Sequence, residues 1–410
     1  MKLLVLNAGS STIKSHVFNI DQAPNDSVPK PLWQAQADWG KEQNKTELTV
    51  RANGHTFTET LSTTAQDELL KHMLGTLSHG KTKVLSQLSD ITVVGHRVVH
   101  GGPNYSTSVL ITPEVKAEIK RVASFAPLHN PINLAGIEAA EKVLPNTPQI
   151  AVFDTAFHST IPDEACVYPG PYSWYEQGIR RYGFHGVSHQ YCARRSSAIL
   201  GRTGNQEQPL RLINCHLGNG CSLAAIRNGE SIDTTMGFTP LEGLMMGSRS
   251  GSIDPSILTY LQREQGYSAH QLEQILNKEA GLKGISGISN DLRTIEKAAQ
   301  ESNKRAALAI AIFIYRLRYF IGAMTAVLNG VDAITFTGGI GENDASVRAQ
   351  TCTGLSFLHL KLDHTKNAAS PLDQDIATSD SFVRVLIVHT EEDWEIAREC
   401  WHLLHNQYRV

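Results

Sequence analysis

The chain has 410 residues, with 37 lysines and arginines against 40 aspartates and glutamates, a formal net charge of −3, and 41% hydrophobic residues. That balance lacks the basic surplus of an electrostatic nucleic-acid binder, and an apolar fraction near the globular norm excludes a disordered chain. The length suggests about two to three domains, and six cysteines over it do not make a disulfide framework.

In chain order, the apolar run at 3–6 predicts a strand, 7–11 a tight turn, and Ile13, Val17 and Phe18 a second strand. Only four apolar residues follow Met1-Lys2, too few for a signal-peptide core, so a cytoplasmic, reduced protein is expected. Residues 21–60 read as meandering strands and loops. Leu69, Leu70, Met73 and Leu74 set a helix over 66–77. Residues 91–99 read as a strand, 115–126 and 132–143 as helices, and 149–153 as a buried strand. Strands separated by helices point to an α/β fold. The opening pattern then recurs: strand 212–215, small turn 216–220, strand 222–226, with Asn228-Gly229 as a hairpin turn. This repetition predicts a duplicated core. The stretch 306–315 is the most apolar, but Arg316 and Arg318 cut it short of the roughly 20 residues a membrane span needs. It reads as a buried helix, with no membrane partner. Residues 333–337 and 383–388 read as strands, and 393–404 as a last helix.

Several segments carry chemistry. Residues 75–82, Gly-Thr-Leu-Ser-His-Gly-Lys-Thr, match the P-loop letter for letter. A helix precedes them instead of a strand, so they are expected to be a helix end with a loop. Residues 7–14, from Asn7 to Lys14, make a better phosphate loop: Gly9 permits close approach, Ser10, Ser11 and Thr12 donate to oxyanions, and Lys14 adds a cation. An ordinary polar hairpin is the alternative. Arg97, at a strand end, and Arg249, between small residues, suit bidentate binding of carboxylate or phosphate. Asp154 follows a buried strand, where α/β folds place ligand groups, or else it caps a helix. His185 and His189 are four apart without the glutamate of a zinc helix, which leaves a structural pair or a catalytic histidine. Gly338 to Asn343 is glycine-rich but lacks the dinucleotide fingerprint. Glu391-Glu392-Asp393 is either N-terminal helix charge or a Mg²⁺ site.

Taken together, residues 6–14, 95–102, 153–158, 181–189, 216–224, 233–255 and 336–343 resemble the acetate kinase family (acetate and propionate kinases) of the sugar-kinase, heat-shock-chaperone and actin superfamily. Thr390-Glu391-Glu392-Asp393 departs from the family's Thr-Asn-Glu-Glu; Thr12 stands for a usual Ser and Ser248 for a usual Thr. The resemblance implies an α/β fold of two similar domains, a duplicated mixed-sheet ribonuclease-H-like core, with an interdomain cleft. Residues 1–153, completed by a C-terminal helix in 390–410, would bind acyl and phosphate groups, and 154–389 the nucleotide. It implies reversible, Mg²⁺-dependent (or Mn²⁺-dependent) phosphoryl transfer from ATP to acetate, giving acetyl phosphate and ADP. Arg97, Asp154, His185 and Arg249 would be catalytic. Arg97, Val99, Leu128, Phe184 and Pro240 would hold the acyl group. Lys14, His216, Leu217, Gly218, Asn219, Gly220, Asp291, Leu292, Arg293, Gly339, Ile340, Gly341 and Asn343 would hold the nucleotide. Asn7 and Glu392 would hold the metal, with Glu391 one place away as the alternative. A homodimer is expected from the resemblance alone. Propionate or butyrate remain open as substrates. A non-catalytic ATP-driven switch and a polyphosphate phosphatase are rival readings.

Overall fold

The computed structural model describes residues 1–9, 12–39, 45–127, 129–202 and 208–407. Ser10, Ser11 and Leu128 lie outside the described residues. The chain divides into two compact units: Met1–Phe157 with Glu391–Val410, and His158–Thr390. Asp154, expected to open the second domain, falls in the first unit.

The first unit is built on an eight-stranded sheet in the order β5-β4-β3-β2-β1-β6-β8-β7. Its strands are β1 (Lys2–Ala8), β2 (Thr12–Asn19), β3 (Trp33–Asp38), β4 (Thr46–Ala52), β5 (His55–Leu61), β6 (Val93–Val98), β7 (Val109–Leu110) and β8 (Gln149–Phe153). The central β1 carries a continuous apolar run, as expected for a strand covered on both faces: Leu3, Leu4 and Val5 are fully buried. Near the edge, β4 alternates instead. Thr46, Leu48, Val50 and Ala52 point inward and the residues between them outward. The helix Gln66–Gly75 packs Leu70, Met73 and Leu74 with Trp33, Leu48 and Val50 into one core. Val98, Val115, Ile119, Ile137 and Phe153 form a second. The last helix, Glu392–Gln407, returns to pack on β1 and β6. Gly95 makes this possible, because a Cβ there would lie 2.6 Å from Cys400 Sγ.

The second unit holds a six-stranded sheet in the order β11-β10-β9-β12-β14-β13. Its strands are β9 (Arg211–Leu217), β10 (Cys221–Arg227), β11 (Glu230–Thr234), β12 (Ala333–Thr337), β13 (Gln374–Asp375) and β14 (Arg384–Ile387). The two sheets share one plan. β1 pairs antiparallel with β2 and parallel with β6, as β9 pairs antiparallel with β10 and parallel with β12. A further parallel strand and a short antiparallel edge follow in both. The β4–β5 hairpin, closed at Asn53 and Gly54 with φ of 52° and 76°, extends the first sheet.

Some expectations change. His216 and Leu217 belong to β9, so the turn narrows to 218–220. Gly338–Asn343 coils into a helical turn. The apolar stretch at 306–315 belongs to the long helix Lys304–Val327, which by length and hydropathy is the one candidate membrane span among the described residues. It is not wholly buried. Phe313, Leu317 and Ile321 face inward, whereas Leu308, Tyr315 and Tyr319 are 53%, 66% and 58% exposed.

Candidate functional site

In the first unit, the carboxyl ends of three neighbouring strands bring polar groups together, as the parallel arrangement dictates. Asn7 ends β1, Arg97 lies near the end of β6, and Asp154 follows β8. Arg97 Nε donates to Asp154 Oδ1 at 3.0 Å and Nη2 to Oδ2 at 2.5 Å, while Nη1 reaches Asn7 Oδ1 at 3.3 Å. Asp154 is 1% exposed. Burial pushes its carboxyl above the ordinary range, against the pull of Arg97. Burial works against the charge of Arg97 too, but Asp154 and then Glu392 hold it protonated, above the usual arginine value.

Glu392 opens the last helix, and its charge also reaches Asp154. Its neighbour Asp393 is engaged by His16 Nδ1 at 2.7 Å. Asn7, Asp154 and Glu392 thus supply the hard oxygen donors that suit Mg²⁺, which keeps waters and substrate oxygens in most of its shell. Among the described residues there is no cluster of three or more His, Cys, Asp or Glu fit to hold a metal without them.

Two residues missed in the sequence fix this frame. Asn133 Oδ1 accepts from Val99 N at 3.1 Å and its Nδ2 donates to Ala8 O at 2.9 Å. Asn130 bonds both N and O of His100. The sequence marks them by no more than the string Asn130-Pro131-Ile132-Asn133 at the start of the helix Asn130–Val143, and their burial is seen in the structure alone. Val99 is buried, and Lys14, opposite Asn7 on β2, is exposed.

In the second unit, His185 holds an unusual backbone, φ 57°, just before the helix Gly186–Ile199. A strained non-glycine residue of this kind persists only where its surroundings over-determine it. Its ring stacks on His216 with centroids 4.3 Å apart. His216 Nδ1 lies 2.8 Å from Ser188 Oγ, which accepts from Thr390 Oγ1 at 2.9 Å.

The turn 218–220 closes through Gly218 N and Gly220 O. A Cβ on Gly220 would lie 3.3 Å from His185 Nε2 and 3.6 Å from Arg249 Nη1, so both side chains face one spot. Arg249 donates to Pro240 O at 3.0 Å, and among the described residues it has no carboxylate partner. Burial pulls its pKa below the ordinary arginine value. Its loop is pinned by backbone bonds at Met246, Ser250, Ala280 and Leu282.

The remaining expected nucleotide residues lie in three places. Asn219 is exposed and accepts from Asn290 Nδ2 at 3.1 Å. Asp291 caps the helix Leu292–Gln300 and pairs with the exposed Arg293, while Leu292 is core. Gly339 is exposed with open space at its Cβ position, Ile340 is half-buried and Gly341 buried. Asn343 Nδ2 returns to Gly339 O at 2.9 Å. Of the expected acyl residues, Phe184 is buried and Pro240 half-buried.

Sequence reasoning also missed Glu342. It is 6% exposed and accepts from Gly338 N and Thr390 N at 2.9 and 3.1 Å, with His389 Nδ1 2.6 Å away. Burial works against this carboxylate, yet His389 and the two amides bring it below the ordinary range.

The P-loop string ends the helix Gln66–Gly75 and enters turns, without the strand before it or the helix after it that phosphate binding needs. Part of it lines a cavity of about 980 Å³ with His55, Phe57 and His72. No expected site residue lines that cavity.

A twofold-repeated α/β core carrying a half-buried guanidinium without a carboxylate partner among the described residues, a strained histidine and glycine turns beside them suits an anion-handling enzyme of the phosphotransferase class. Residues 2–398 match the acetokinase family. A relative named acetate kinase from a Cyanothece species is 57% identical over 405 residues, 98% of either chain. The crystal structure of Porphyromonas gingivalis acetate kinase superposes with a TM-score of 0.88 at 38% identity, covering 98% of this chain and 99% of that one. A propionate kinase from Francisella tularensis gives 0.86 at 38% identity, covering 97% and 98%. The chain belongs to the acetokinase family, whose members are kinases with a carboxyl group as acceptor. This sets aside the non-catalytic switch and the polyphosphate phosphatase.

Proposed function

We propose that this chain transfers the γ-phosphoryl group of ATP to acetate, reversibly, giving acetyl phosphate and ADP. The observation that carries the reading is Arg249, a guanidinium without a carboxylate partner among the described residues, whose Nη1 faces the same point as His185 Nε2. Two anions, carboxylate and triphosphate, must approach each other, and phosphoryl transfer asks the protein for alignment and charge neutralisation more than for covalent chemistry. Acetate is ionised near neutral pH, so no general base is required. An acetate oxygen bonds to the γ-phosphorus as the bond from that phosphorus to the ADP oxygen breaks, the electron pair leaving with ADP. Arg249 neutralises charge on the phosphoryl oxygens and His185 donates to them. Arg97, set by the two bonds of Asp154, holds the carboxylate.

Asn7 and Glu392, with Asp154 beside them, would hold Mg²⁺, which supplies charge neutralisation on the phosphates. Glu392 is favoured over Glu391 because its charge reaches both Arg97 and Asp154. His216, the turn 218–220, Asp291, Arg293, Gly339 and Asn343 would hold the nucleotide, with Lys14 as an accessory cation. Val99, Leu128, Phe184 and Pro240 are the residues proposed for the acyl group.

A cytoplasmic homodimer is the proposed form. Self-association is supported by the apolar stripe of Leu308, Ile312, Tyr315 and Tyr319, which recurs at alternating spacings of four and three on the outer side of the helix Lys304–Val327. The test is a hydroxylamine trap for acyl phosphate with acetate, propionate and butyrate. Acetyl hydroxamate should form fastest. One methylene in an apolar pocket is worth about 1–3 kcal/mol, so propionate should react more slowly instead of being refused. Faster propionyl or butyryl hydroxamate would reassign the substrate.

A further inference from the structure

Within the second unit, four side chains form a hydrogen-bonded row that ends on His185. Asn214 Nδ2 lies 2.8 Å from His189 Nδ1, His189 Nε2 lies 2.8 Å from Ser222 Oγ, and Ser222 Oγ lies 2.9 Å from His185 Nδ1. Asn214, His189 and Ser222 are all 0% exposed.

The direction of each bond follows from what each atom can do. A carboxamide nitrogen only donates, so His189 Nδ1 accepts. Burial, with His158 and His216 nearby, holds the His189 imidazole well below its ordinary pKa. The ring is neutral, and its single proton sits on Nε2 and goes to Ser222 Oγ. The one hydrogen of the Ser222 hydroxyl is then donated to His185 Nδ1.

Rotating the Asn214 amide would reverse the row, so the tautomer of His185 reports the orientation of that amide. Asn214 Oδ1 is buried without a hydrogen-bond partner, and its Nδ2 is the atom set against His189 Nδ1. The stack of His185 on His216 at 4.3 Å also suits two neutral rings better than two charged ones.

We propose that Asn214, His189 and Ser222 are positioning residues that lock the proton of His185 onto Nε2, so that it meets the transferring phosphoryl group as a preset neutral donor. The proposal rests on the phosphoryl-transfer reading above. Of the two ring nitrogens, Nε2 lies on the edge of the ring, with Cε1, that is nearest the Gly220 Cβ position beside Arg249 Nη1. A donor fixed before the reaction needs no reorganisation as charge develops.

The test reads the tautomer directly. In ¹⁵N-labelled enzyme without ligands, a multiple-bond ¹H–¹⁵N spectrum, assigned by comparison with His185→Gln, should show His185 protonated on Nε2 and bare on Nδ1. Asn214→Asp puts an acceptor against His189 Nδ1 and should reverse the whole row. His185 then shifts to the Nδ1–H form, and kcat falls about tenfold or more while the KM for ATP and acetate stays within about threefold. If that buried carboxylate prevents folding, Ser222→Ala serves instead. It should give mixed His185 tautomers and the same drop in kcat at near-constant KM. An Nδ1–H tautomer in the wild type, or an unchanged kcat in a folded Ser222→Ala enzyme, overturns the proposal. The resting tautomer is read without substrate. An Nδ1–H result therefore sinks the row even if acetyl phosphate is made, whereas an Nε2–H enzyme that makes none sinks only the reading of the reaction.

Discussion

The two candidate arginines, one in each unit, are held in opposite ways, and this separates the effects of removing them. Arg97 is bound twice by a buried carboxylate, so Arg97→Ala leaves Asp154 as an uncompensated buried acid. Breaking such a pair typically costs about 3–5 kcal/mol of stability. Among the described residues Arg249 donates to a carbonyl and a thioether, so Arg249→Ala should leave the unfolding midpoint near that of the wild type. Both variants should lose turnover by at least about 100-fold, the usual effect of removing a donor to developing negative charge. Thermal unfolding and steady-state kinetics on the same preparations check both parts. A destabilised Arg249→Ala, or a folded variant of either residue with near-normal turnover, contradicts the assignment. Gly220 makes a similar point about space: with a Cβ 3.3 Å from the His185 ring, Gly220→Ala should lower kcat more than it changes stability.

At the scale of elements, the P-loop string shows why letters need context. It lies at the carboxyl end of the helix Gln66–Gly75, where the helix dipole disfavours phosphate. Lys81→Ala should therefore leave ATP affinity within about threefold of the wild type, measured by calorimetry; a loss above about tenfold would show a nucleotide contact. A second element-level expectation concerns the acidic pair that joins the helix Leu292–Gln300 to the cap of the helix Ala345–Thr353. Burial and the neighbouring Asp344 push the Glu296 carboxyl up to about 7. A carboxyl whose pKa is raised on folding stabilises the fold fully below its unfolded value, and that contribution is lost as pH rises through about 7. Measured as the difference in urea stability between wild type and Glu296→Gln, this contribution should fall between about pH 5 and 8 by on the order of 1 kcal/mol once solvent screening of this half-exposed group is counted. The difference cancels the opposite trend of the buried histidines, which both proteins share. Asn7, Arg97 and Asp154 were legible in the sequence because each sits at the end of a short apolar run, where local pattern alone implies a strand and the fold class implies what gathers beyond it. Asn130, Asn133, Glu342 and the Asn214–His189–Ser222 row were not. Their partners are distant in sequence, and a polar residue inside an apolar segment looks the same whether it is orphaned, structural or directed at a catalytic ring. The helix Lys304–Val327 was misjudged for a related reason: composition reports apolarity, and only packing tells which side of it is covered.

At the scale of the molecule, one sheet plan occurs twice, and the chain returns to the first unit to add its last helix. Catalytic candidates are shared between the units: Asn7, Arg97, Asp154 and Glu392 in the first, His185, His216 and Arg249 in the second. Buried histidines make the whole fold acid-sensitive. Burial lowers His96 and His158 to about 4 and His100 to about 3. Groups depressed in this way favour the fold above the unfolded histidine value and lose that contribution as pH falls through the folded one, so stability should drop steeply between about pH 6.5 and 4. A flat pH profile of urea midpoints over that range would contradict the buried neutral rings. The stripe on the helix Lys304–Val327 gives a further molecular expectation: Tyr315→Glu with Tyr319→Lys should shift sedimentation from dimer to monomer while leaving circular dichroism unchanged. The central claim is that the phosphoryl group goes to a carboxylate and not to water. It is tested most directly by ³¹P NMR of the purified protein with Mg²⁺ and ATP, before and after acetate is added. The account predicts almost no orthophosphate without acetate, then equal growth of ADP and acyl phosphate signals with it. Orthophosphate released as fast without acetate as with it, and no acyl phosphate signal, would contradict it.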